Sequence, residues 1–519
     1  METKAKKITN IVTRKVTSFL SSRLFVLIAL AVLQVWFIMF LMSALESISE
    51  IVTLVLTISS LLLVLWVVNK KQNLGYTVAW VILILILPIF GMTMYFFFSQ
   101  RKMNPRDRSK VIKQYAKSIH LMRPRPGIFE TMQDKDIRRQ SAYIFNAAIE
   151  PPYENSEVRY LPTGEAFFAA LLEELEKAEK YIFMEYFIIE EGVMWDPILE
   201  ILERKAAQGL DVRFMYDDIG CASKVPSSYY KTLRAKGIRC EVFNTLKPIL
   251  NSMFNNRDHR KITVIDGKTA FCGGTNLADE YINVTHPYGQ WKDASVMVRG
   301  EAVFSLLVIF MNLWGFTSGD DESLDGYHAD IVPARDACGI VQPFSDSPID
   351  NNYISESVFI NLISRAKDYV YIMTPYLVIG NELSTLLATA ATSGVDVRII
   401  VPHVPDKKLV FMLTQSYYAQ LIKSGVKVYE YLPGFIHSKV LLSDDQTAVV
   451  GTINLDYRSM YLHFECGVWM HGCPAIQDIR QDFDDTFAIS KEISFADTVS
   501  VPWYKRFFRA ILQIFGPLM

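Results

Sequence analysis

The first hundred residues carry long apolar runs, whereas the rest of the chain alternates short apolar stretches with polar ones. Three of these runs are long enough to be interpreted as membrane-spanning helices, at about residues 24–45, 51–68 and 74–98. Their length and close succession argue against a cleaved signal sequence. The pattern therefore predicts a transmembrane region over residues 23–99, preceded by a basic N-terminal segment over residues 1–22.

The charges beside these runs give a divided prediction of topology. Lysines and arginines within residues 1–23 and at residues 70–71 favour the cytoplasmic side of the membrane. Three complete spans would then place the rest of the chain outside, but the basic stretch over residues 101–110 favours the cytoplasm. A re-entrant or kinked third segment, suggested by Pro88 and Gly91, is an alternative to a straight full span. The sequence alone leaves both topologies open.

From about Tyr153 onward the hydrophobic pattern occurs twice. Residues 178–183 and 209–215 have strand character and are separated by a helical pattern, and residues 366–371 and 394–400 repeat that order. Alternating strands and helices indicate an α/β fold with a mixed, mostly parallel sheet in each half. We therefore predict two tandem α/β/α halves that form one pseudo-two-fold body behind the membrane segments.

Composition sets the boundaries of these parts. Residues 317–325 are glycine-rich and acidic, which is typical of a linker, and the apolar run Ala302–Trp314 is too short to cross a membrane and predicts a core helix. The last residues mix aromatic and basic side chains at helical spacing, which is typical of a helix in the membrane interface; a terminal helix docked on the protein is the alternative. The predicted parts are a juxtamembrane linker at residues 100–150, a first half at 151–316, a linker at 317–340, a second half at 341–490 and an amphipathic C-terminal helix at 500–519.

Charge and cysteine content narrow the classes of function. The formal net charge is -2 and the pI is near 6.5, so no global positive field suggests a nucleic-acid partner. The basic residues beside the predicted spans suit anionic lipid headgroups, or serve topology alone. The 6 cysteines show no C-x-x-C spacing and no disulfide pattern, so we predict core positions for them.

Two copies of one short motif, His-x-Lys-x4-Asp, carry the chemical information. The motif residues are His259, Lys261 and Asp266 in the first copy and His437, Lys439 and Asp444 in the second. Each copy is followed, at a similar distance, by glycine and then by an asparagine, Asn276 or Asn454. Two complete copies with matching sequences after them do not arise by chance in a chain with 8 histidines.

These residue types suit attack on a phosphodiester. Residues two apart in an extended segment point to the same face, so each histidine would share a surface with its lysine. The lysines and asparagines could hold the non-bridging oxygens, on which charge develops in the transition state. One histidine can be the covalent nucleophile while the other protonates the leaving alcohol and later deprotonates the incoming one. No metal-ligand motif accompanies these residues, so we expect chemistry without a metal ion or other cofactor.

The acidic residues and the remaining histidines complete the candidate site. Asp266 and Asp444 are grouped with the catalytic residues, although a structural role in the turn that Asp266-Gly267 predicts fits equally well. Asp293 and Glu465 are each predicted to orient the histidine of their own half by a hydrogen bond. The histidines without a doubled context are interpreted as structural or solvated: His120, His286, His328, His403, His463 and His471.

Both motifs, together with residues 454–459 (Asn-Leu-Asp-Tyr-Arg-Ser) and 374–376 (Thr-Pro-Tyr), resemble the phospholipase D superfamily. The apolar N-terminal segments with residues 76–80 and 87–91, and the tail that contains Phe-Gly-Pro-Leu, narrow the resemblance to the bacterial cardiolipin synthases. This resemblance covers nearly the whole chain and is less specific for the substrate than for the superfamily. It implies two phospholipase D-type halves around one active site, in a multi-pass protein of a bacterial cell membrane.

The resemblance also implies a reaction. A phosphatidyl group would pass from one phosphatidylglycerol to another through a phosphohistidine, which gives cardiolipin and glycerol. By analogy with the superfamily the nucleophile is His259 and the acid–base residue is His437, although the pseudo-symmetry allows the reverse. A phospholipase D-type hydrolase and a noncatalytic lipid-binding scaffold are the alternatives, while the charge and the apolar front argue against a nuclease. The expected partners are phosphatidylglycerol, other anionic phospholipids and the membrane, without nucleic acid, and the sequence leaves homo-oligomerisation open.

Overall fold

The computed structural model describes residues 36, 46–70, 73–99, 105–245, 255–328, 331–334, 337, 339–349 and 352–518. The chain divides into two compact units, one that ends at Gln100 and one that begins at Arg101. The predicted first span at residues 24–45 lies outside the described residues, apart from Trp36.

Among its described residues, the N-terminal unit contains one helix with the length and hydropathy of a membrane span. This helix, α1 (Glu46–Asn69), covers the predicted second span, and few of its side chains are buried within the structure. In the part of the chain that the structure describes, no other helix is both long and apolar enough to cross a membrane.

The third apolar run is not a continuous span, which corrects the prediction for residues 74–98. It forms two short helices, α2 (Leu74–Ile86) and α3 (Pro88–Phe98). At Leu87 the backbone leaves the helical region, and Pro88 begins the next helix because its ring cannot continue the previous one. The Tyr76 hydroxyl donates to the carbonyl of Phe98 at 3.4 Å, so the start of α2 lies beside the end of α3. The run therefore forms a helical hairpin whose two ends lie side by side, as in the re-entrant alternative.

The stretch predicted as a juxtamembrane linker is largely helical. It contains α4 (Pro105–Ser118), α5 (Ile128–Thr131) and α6 (Lys135–Ala148). Ser141 of α6 donates its hydroxyl to the side chain of Gln342 at 2.8 Å, and both residues are buried. These helices therefore belong to the body of the C-terminal unit.

The first half is built on a seven-stranded sheet with the order β1-β8-β6-β5-β2-β3-β4. Its strands are β1 (Ser156–Leu161), β2 (Tyr181–Tyr186), β3 (Asp211–Asp217), β4 (Arg239–Phe243), β5 (Ile262–Ile265), β6 (Thr269–Gly273) and β8 (Ser295–Gly300). The helices of this half are α7 (Gly164–Glu176), α8 (Trp195–Ala207), α9 (Asp218–Cys221) and α10 (Tyr229–Ala235), with a 3-10 turn at Asp279–Ile282.

Two helices follow the first half, α11 (Val303–Ser318) and α12 (Asp325–His328). The second half repeats the design in an eight-stranded sheet with the order β17-β12-β11-β10-β14-β15-β16-β9. Its strands are β9 (Ile340–Asp346), β10 (Tyr369–Met373), β11 (Asp396–Pro402), β12 (Lys427–Tyr431), β14 (Val440–Ser443), β15 (Thr447–Gly451), β16 (Glu465–His471) and β17 (Ser490–Glu492). Its helices are α13 (Ile354–Arg365), α14 (Asn381–Thr392), α15 (Lys408–Lys423), α16 (Tyr457–Tyr461), α17 (Ala475–Ala488) and α18 (Phe495–Val499). Two tandem α/β halves are thus confirmed.

The sheets are mixed, but the prediction that they are mostly parallel is wrong. Among the described strands, the parallel neighbours within these two sheets are β2-β3-β4 and β10-β11-β12, and the other pairs are antiparallel. The antiparallel part begins at two tight hairpins, β5-β6 and β14-β15. Two successive turn residues have positive φ in each hairpin, as tight hairpin turns between twisted strands favour: Asp266 and Gly267 in the first, and Asp444 and Asp445 in the second.

The two halves share one hydrophobic core. Helix α11 is buried from Val303 to Gly315, which confirms the predicted core helix. Strand residues of both sheets, such as Val296 and Val468, pack in the same cluster. A short parallel pair of strands, β7 (Gln290–Lys292) and β13 (Gly434–Ile436), joins the halves beside the motifs.

The predicted C-terminal helix is present as α19 (Trp503–Phe515). One face docks on the second half, where Leu512 packs against the core and Arg509 donates to the side chain of Gln415. The opposite face leaves Trp503 78% and Phe507 64% exposed.

Candidate active site

Each motif lies in an extended segment that is hydrogen-bonded to the other half. The His259 N–H donates to the carbonyl of Phe464 at 3.0 Å, and the Phe464 N–H donates to the carbonyl of Arg257 at 2.8 Å. The His437 N–H donates to the carbonyl of Lys292 at 2.6 Å. The segments then enter β5 and β14. Because each motif segment pairs with the opposite half, both motifs lie in one site.

The carboxylates that orient the histidines also come from the opposite half. His259 Nδ1 lies 3.0 and 3.1 Å from the two carboxylate oxygens of Glu465, and His437 Nδ1 lies 2.6 Å from Asp293 Oδ2. The prediction that each acid serves the histidine of its own half is therefore wrong. The physical reason is the pairing of segments from opposite halves. Strand β7 pairs with β13, which places Asp293 beside His437, and Asp258 pairs with Phe464, which places Glu465 beside His259.

Both imidazoles are buried, and their surroundings favour the neutral form while no anion is bound. Burial lowers the pKa of His259 well below its usual value, and Lys261, Lys439 and His437 lower this pKa further. Burial likewise lowers the pKa of His437, again with both lysines contributing. Charged groups of both motifs thus act on each imidazole. A carboxylate at Nδ1 requires the proton on that nitrogen, so Nε2 carries the lone pair that can attack phosphorus or accept a proton.

The motif lysines are buried cations. Lys261 and Lys439 each donate from Nζ to the backbone carbonyl of the histidine two residues before, which fixes the ammonium beside the imidazole. Burial lowers the pKa of Lys261 to about 8 and the pKa of Lys439 to about 7. Glu465 and Asp293 oppose this shift by their negative charge. Two ammonium groups that lack solvent are suited to an anionic phosphate.

The two asparagines after the motifs differ in their contacts. Asn276 Oδ1 accepts from the N–H of Ile188 at 3.0 Å, and its Nδ2 donates to the hydroxyl of Tyr281 at 2.6 Å. Asn454 Oδ1 is buried and has no hydrogen-bond partner among the residues that the structure describes. Asn276 is thus used to hold the fold, whereas Asn454 keeps an oxygen available to a ligand.

Asp266 and Asp444 lie at the far ends of β5 and β14 from the histidines. The Asp266 carboxylate accepts the backbone N–H groups of three consecutive residues, Glu179, Lys180 and Tyr181, at 2.7 to 2.8 Å. The Asp444 carboxylate makes the equivalent three bonds to Lys367, Asp368 and Tyr369. This geometry favours the structural alternative over a direct catalytic role. Each aspartate ties a hairpin turn to the start of a parallel strand.

Sequence reasoning missed the residues that shape the site around the imidazoles. Thr452 donates its hydroxyl to Glu465 Oε2 at 2.5 Å, so this carboxylate binds His259 and Thr452 together. At the equivalent position of the first half, Gly274 leaves room for Asp293, because a Cβ there would lie 2.0 Å from Asp293 Oδ1. The sequence did contain a signal for Thr452 and Gly274, because both belong to the glycine-containing stretch that follows each motif.

Aromatic rings enclose the histidines. His259 packs edge-on against Phe187, with ring centroids 5.0 Å apart. His437 contacts Tyr281, Trp291 and Phe435 at centroid distances of 5.5, 5.3 and 5.9 Å. Such rings exclude water from the reacting atoms, which strengthens electrostatic interactions there.

One group of side chains has the composition of a metal site. Ligating atoms of His259, His463 and Glu465 lie within 4.8 Å of one another. The Glu465 oxygens already bind His259 and Thr452, and the charges of the two motif lysines oppose a cation. The residues present therefore fit an anion better than a metal ion.

Comparison with known proteins identifies the family. The family model described as "Cardiolipin synthase, PLD-like domain" matches residues 171–301 and 359–487, one match in each half. A second model, described as "Phospholipase_D-nuclease N-terminal", matches residues 55–100.

Curated relatives match along most of the chain. A cardiolipin synthase of Geobacillus thermodenitrificans is 32% identical and covers 87% of this chain and 90% of its own length. Cardiolipin synthase 2 of Bacillus cereus is 32% identical, with coverage of 89% and 90%. An uncharacterized protein of Streptococcus mutans is 40% identical, with coverage of 88% and 99%.

A solved structure supports the fold. The phosphatidylserine synthase of Haemophilus influenzae aligns with a TM-score of 0.57 at 15% identity, over 74% of this chain and 100% of its own. At this identity the likeness concerns the fold alone. With two matched halves and relatives at 32% identity over most of the chain, the protein belongs to the cardiolipin synthase family of phospholipase D-like phosphatidyltransferases.

Proposed function

We propose that this protein makes cardiolipin and glycerol from two molecules of phosphatidylglycerol. The observation that carries the proposal is the pair of buried imidazoles, each held at Nδ1 by a carboxylate of the other half, with two buried ammonium groups beside them. One imidazole can attack a phosphodiester while the other manages the proton of the alcohol. The family relationship supplies the class of substrate.

The reaction proceeds in two balanced steps. In the first, His437 carries a proton that the negative charge of the bound phosphate stabilises. His259 Nε2 attacks phosphorus, the bond from phosphorus to the headgroup oxygen breaks, and His437 gives this proton to the departing glycerol. In the second, the headgroup hydroxyl of another phosphatidylglycerol gives its proton to His437 and attacks phosphorus, while the phosphorus–nitrogen bond breaks. Lys261 and Lys439 neutralise the non-bridging oxygens throughout. His259 is the nucleophile by analogy with the superfamily, and the exchanged roles would use the same atoms.

Purified full-length protein in phosphatidylglycerol bilayers tests this proposal. We expect cardiolipin and glycerol in equal amounts, and loss of both in the His259→Asn variant. Phosphatidic acid as the main product would instead support the hydrolase, in which water replaces the second lipid. A folded protein without any turnover would support the lipid-binding scaffold.

We further propose a cytoplasmic active site. A re-entrant hairpin of α2 and α3 would keep the two basic stretches, residues 70–71 and 101–110, on the same face of the membrane. This removes the conflict that three full spans create, because lysines and arginines concentrate on the cytoplasmic face. The multi-pass topology predicted from the sequence would then combine α1 with the apolar run at residues 24–45, which lies outside the described residues apart from Trp36. The exposed aromatic face of α19 suits the membrane interface.

A further inference from the structure

The surroundings of the two histidines differ at equivalent positions. In the first half Gly273 pairs with Ser295 across β6 and β8, and in the second half Gly451 pairs with Gly467 across β15 and β16. This register makes the residue four positions before Ser295 equivalent to the residue four positions before Gly467. These residues are Trp291 and His463.

The two equivalent side chains stand in the same geometry against different histidines. The ring of Trp291 lies 5.3 Å from that of His437, with a tilt of 47°. The ring of His463 lies 5.6 Å from that of His259, with a tilt of 44°. An imidazole therefore replaces an indole on the His259 side of the site. Sequence reasoning had set His463 aside because no second copy accompanies it.

A second pair of equivalent residues, Tyr281 and Ser459, also differs between the two sides of the site. Tyr281 follows Asn276 by five positions, packs against His437, and receives a hydrogen bond from Asn276 through its hydroxyl. The residue that follows Asn454 by five positions is Ser459. The serine side chain is too short to replace the phenol of Tyr281. The region beside His259 that contains His463, Ser459 and Asn454, here called the corner, therefore has smaller and more polar side chains than its counterpart beside His437.

The polar atoms of this corner are buried and unused. Both ring nitrogens of His463, Ser459 Oγ and Asn454 Oδ1 have no hydrogen-bond partner within the described parts of the chain. Glu465 Oε1 lies 3.6 Å from His463 Nδ1, beyond hydrogen-bond distance, and is bonded to His259 at 3.0 Å, so its charge acts on His463 without satisfying either ring nitrogen. Buried polar groups without partners are rare in folded proteins, and several of them at the positions equivalent to the wall around His437 indicate a ligand.

The chemistry of the corner selects the kind of ligand. Burial lowers the pKa of His463 to about 4, so the ring is neutral and offers one donor and one acceptor. A serine hydroxyl also offers both, and the asparagine oxygen accepts. An alcohol hydroxyl matches this set, since it donates and accepts at once. An anionic oxygen only accepts, and Lys261 and Lys439 are better placed to bind it.

We propose that His463, with Ser459 and Asn454, forms a subsite for a hydroxyl group of the glycerol headgroup. The subsite rests on the proposed function, because phosphatidylglycerol is the lipid that brings such a hydroxyl to the active site. It makes the enzyme prefer polyol headgroups to simple alcohols. The hydroxyl comes from the donor lipid or from the acceptor, and the two sources are separated by experiment.

The acceptor arm uses a phosphatidyl donor whose leaving group is p-nitrophenol. Full-length protein receives equal concentrations of glycerol and 1-propanol, and the ratio of phosphatidylglycerol to phosphatidylpropanol is measured. The donor arm offers phosphatidylglycerol and phosphatidylpropanol together and compares the release of glycerol and propanol. Both ratios are independent of the amount of active enzyme.

In one of the two arms we expect His463→Phe to lower the preference for glycerol about 5- to 20-fold, the range that one or two lost hydrogen bonds produce. His463→Gln restores most of it, because the amide supplies a donor and an acceptor. Trp291→Phe, the matched change beside His437, leaves the ratio as in the wild type. The arm that responds identifies the source of the hydroxyl.

An unchanged ratio in both arms for His463→Phe overturns the subsite while leaving cardiolipin synthesis in place. Absence of any phosphatidyl transfer by the wild type overturns the proposed function instead. Release of p-nitrophenol, which needs no headgroup hydroxyl, shows that His463→Phe is folded. If that release is lost, Ser459→Ala is compared in the same two arms, and an unchanged ratio there overturns the subsite.

Discussion

The crossed pairing of acids and histidines can be tested by replacing each acid with its amide. In Asp293→Asn the 2.6 Å hydrogen bond from His437 Nδ1 loses its charged acceptor, and the amide also permits the wrong tautomer of the ring. Loss of the carboxylate that orients a catalytic histidine costs about 10²- to 10⁴-fold in kcat in comparable sites. This corresponds to about 2.7 to 5.4 kcal/mol. Glu465→Gln has the same effect on His259.

The two variants should fail at different steps. A phosphatidyl ester of p-nitrophenol needs no proton on its leaving group, so the first step depends on the nucleophilic histidine and the second on the acid–base histidine. If His259 is the nucleophile, Asp293→Asn weakens His437 and leaves the phosphohistidine to accumulate, with a burst of p-nitrophenol. Glu465→Gln slows the first step and gives no burst.

Rapid quenching with radiolabelled lipid and mapping of the labelled histidine provide the measurement. With crossed acids, the amide variant that accumulates the intermediate and the labelled histidine lie in the same half, whichever histidine is the nucleophile. Accumulation in the variant of the opposite half would show that each acid serves its own half, and would refute the pairing derived from the structure.

Three further predictions follow from the same site. Burial raises the pKa of Asp293 to about 6 and lowers the pKa of Lys439 to about 7, and activity requires an ionised Asp293 and a protonated Lys439. We therefore expect kcat/KM to rise with pH through about 6 and to fall above about 7. A flat profile between pH 5 and 9 would contradict this. Gly274→Ala should displace the Asp293 carboxylate and lower kcat about 10- to 100-fold, whereas Gly326→Ala, which meets no atom within 4 Å, should not, as steady-state kinetics of both variants will show. Asp266→Asn weakens three backbone hydrogen bonds and should reduce the free energy of unfolding by about 2 to 4 kcal/mol, as measured by thermal unfolding. A lower reaction rate without a lower melting temperature would instead indicate a catalytic role for Asp266.

The fold was predictable where the sequence signal is local. The order of strands and helices, the core helix at Val303–Ser318 and the turn at Asp266-Gly267 follow from hydrophobic runs and turn residues. The direction of the strands did not follow, because β5 and β6 are buried on both faces and therefore read as the continuous apolar runs of a parallel sheet. The hairpin at residues 74–98 depends on the contact of Tyr76 with Phe98, which length and hydropathy do not record.

The site was predictable in its residue types but not in its pairing. The repeat pointed to His259, His437 and their acids, yet the partners are 206 and 144 positions apart and belong to opposite halves. A search for repeated features also discards the positions at which the copies differ. His463 was set aside for that reason, although the register places it opposite Trp291.

Because the orienting acids are exchanged, each half needs the other to position its catalytic histidine. Each half supplies a histidine and a lysine to one side of the phosphate, and the acid that orients the histidine on the other side. Neither half alone therefore contains one oriented imidazole, let alone two. Loss of a whole half would disable both chemical steps, since the nucleophile and the acid–base residue each depend on both halves. The positions outside this exchange, such as His463 and Trp291, differ between the halves, and the proposed hydroxyl subsite lies at one of them.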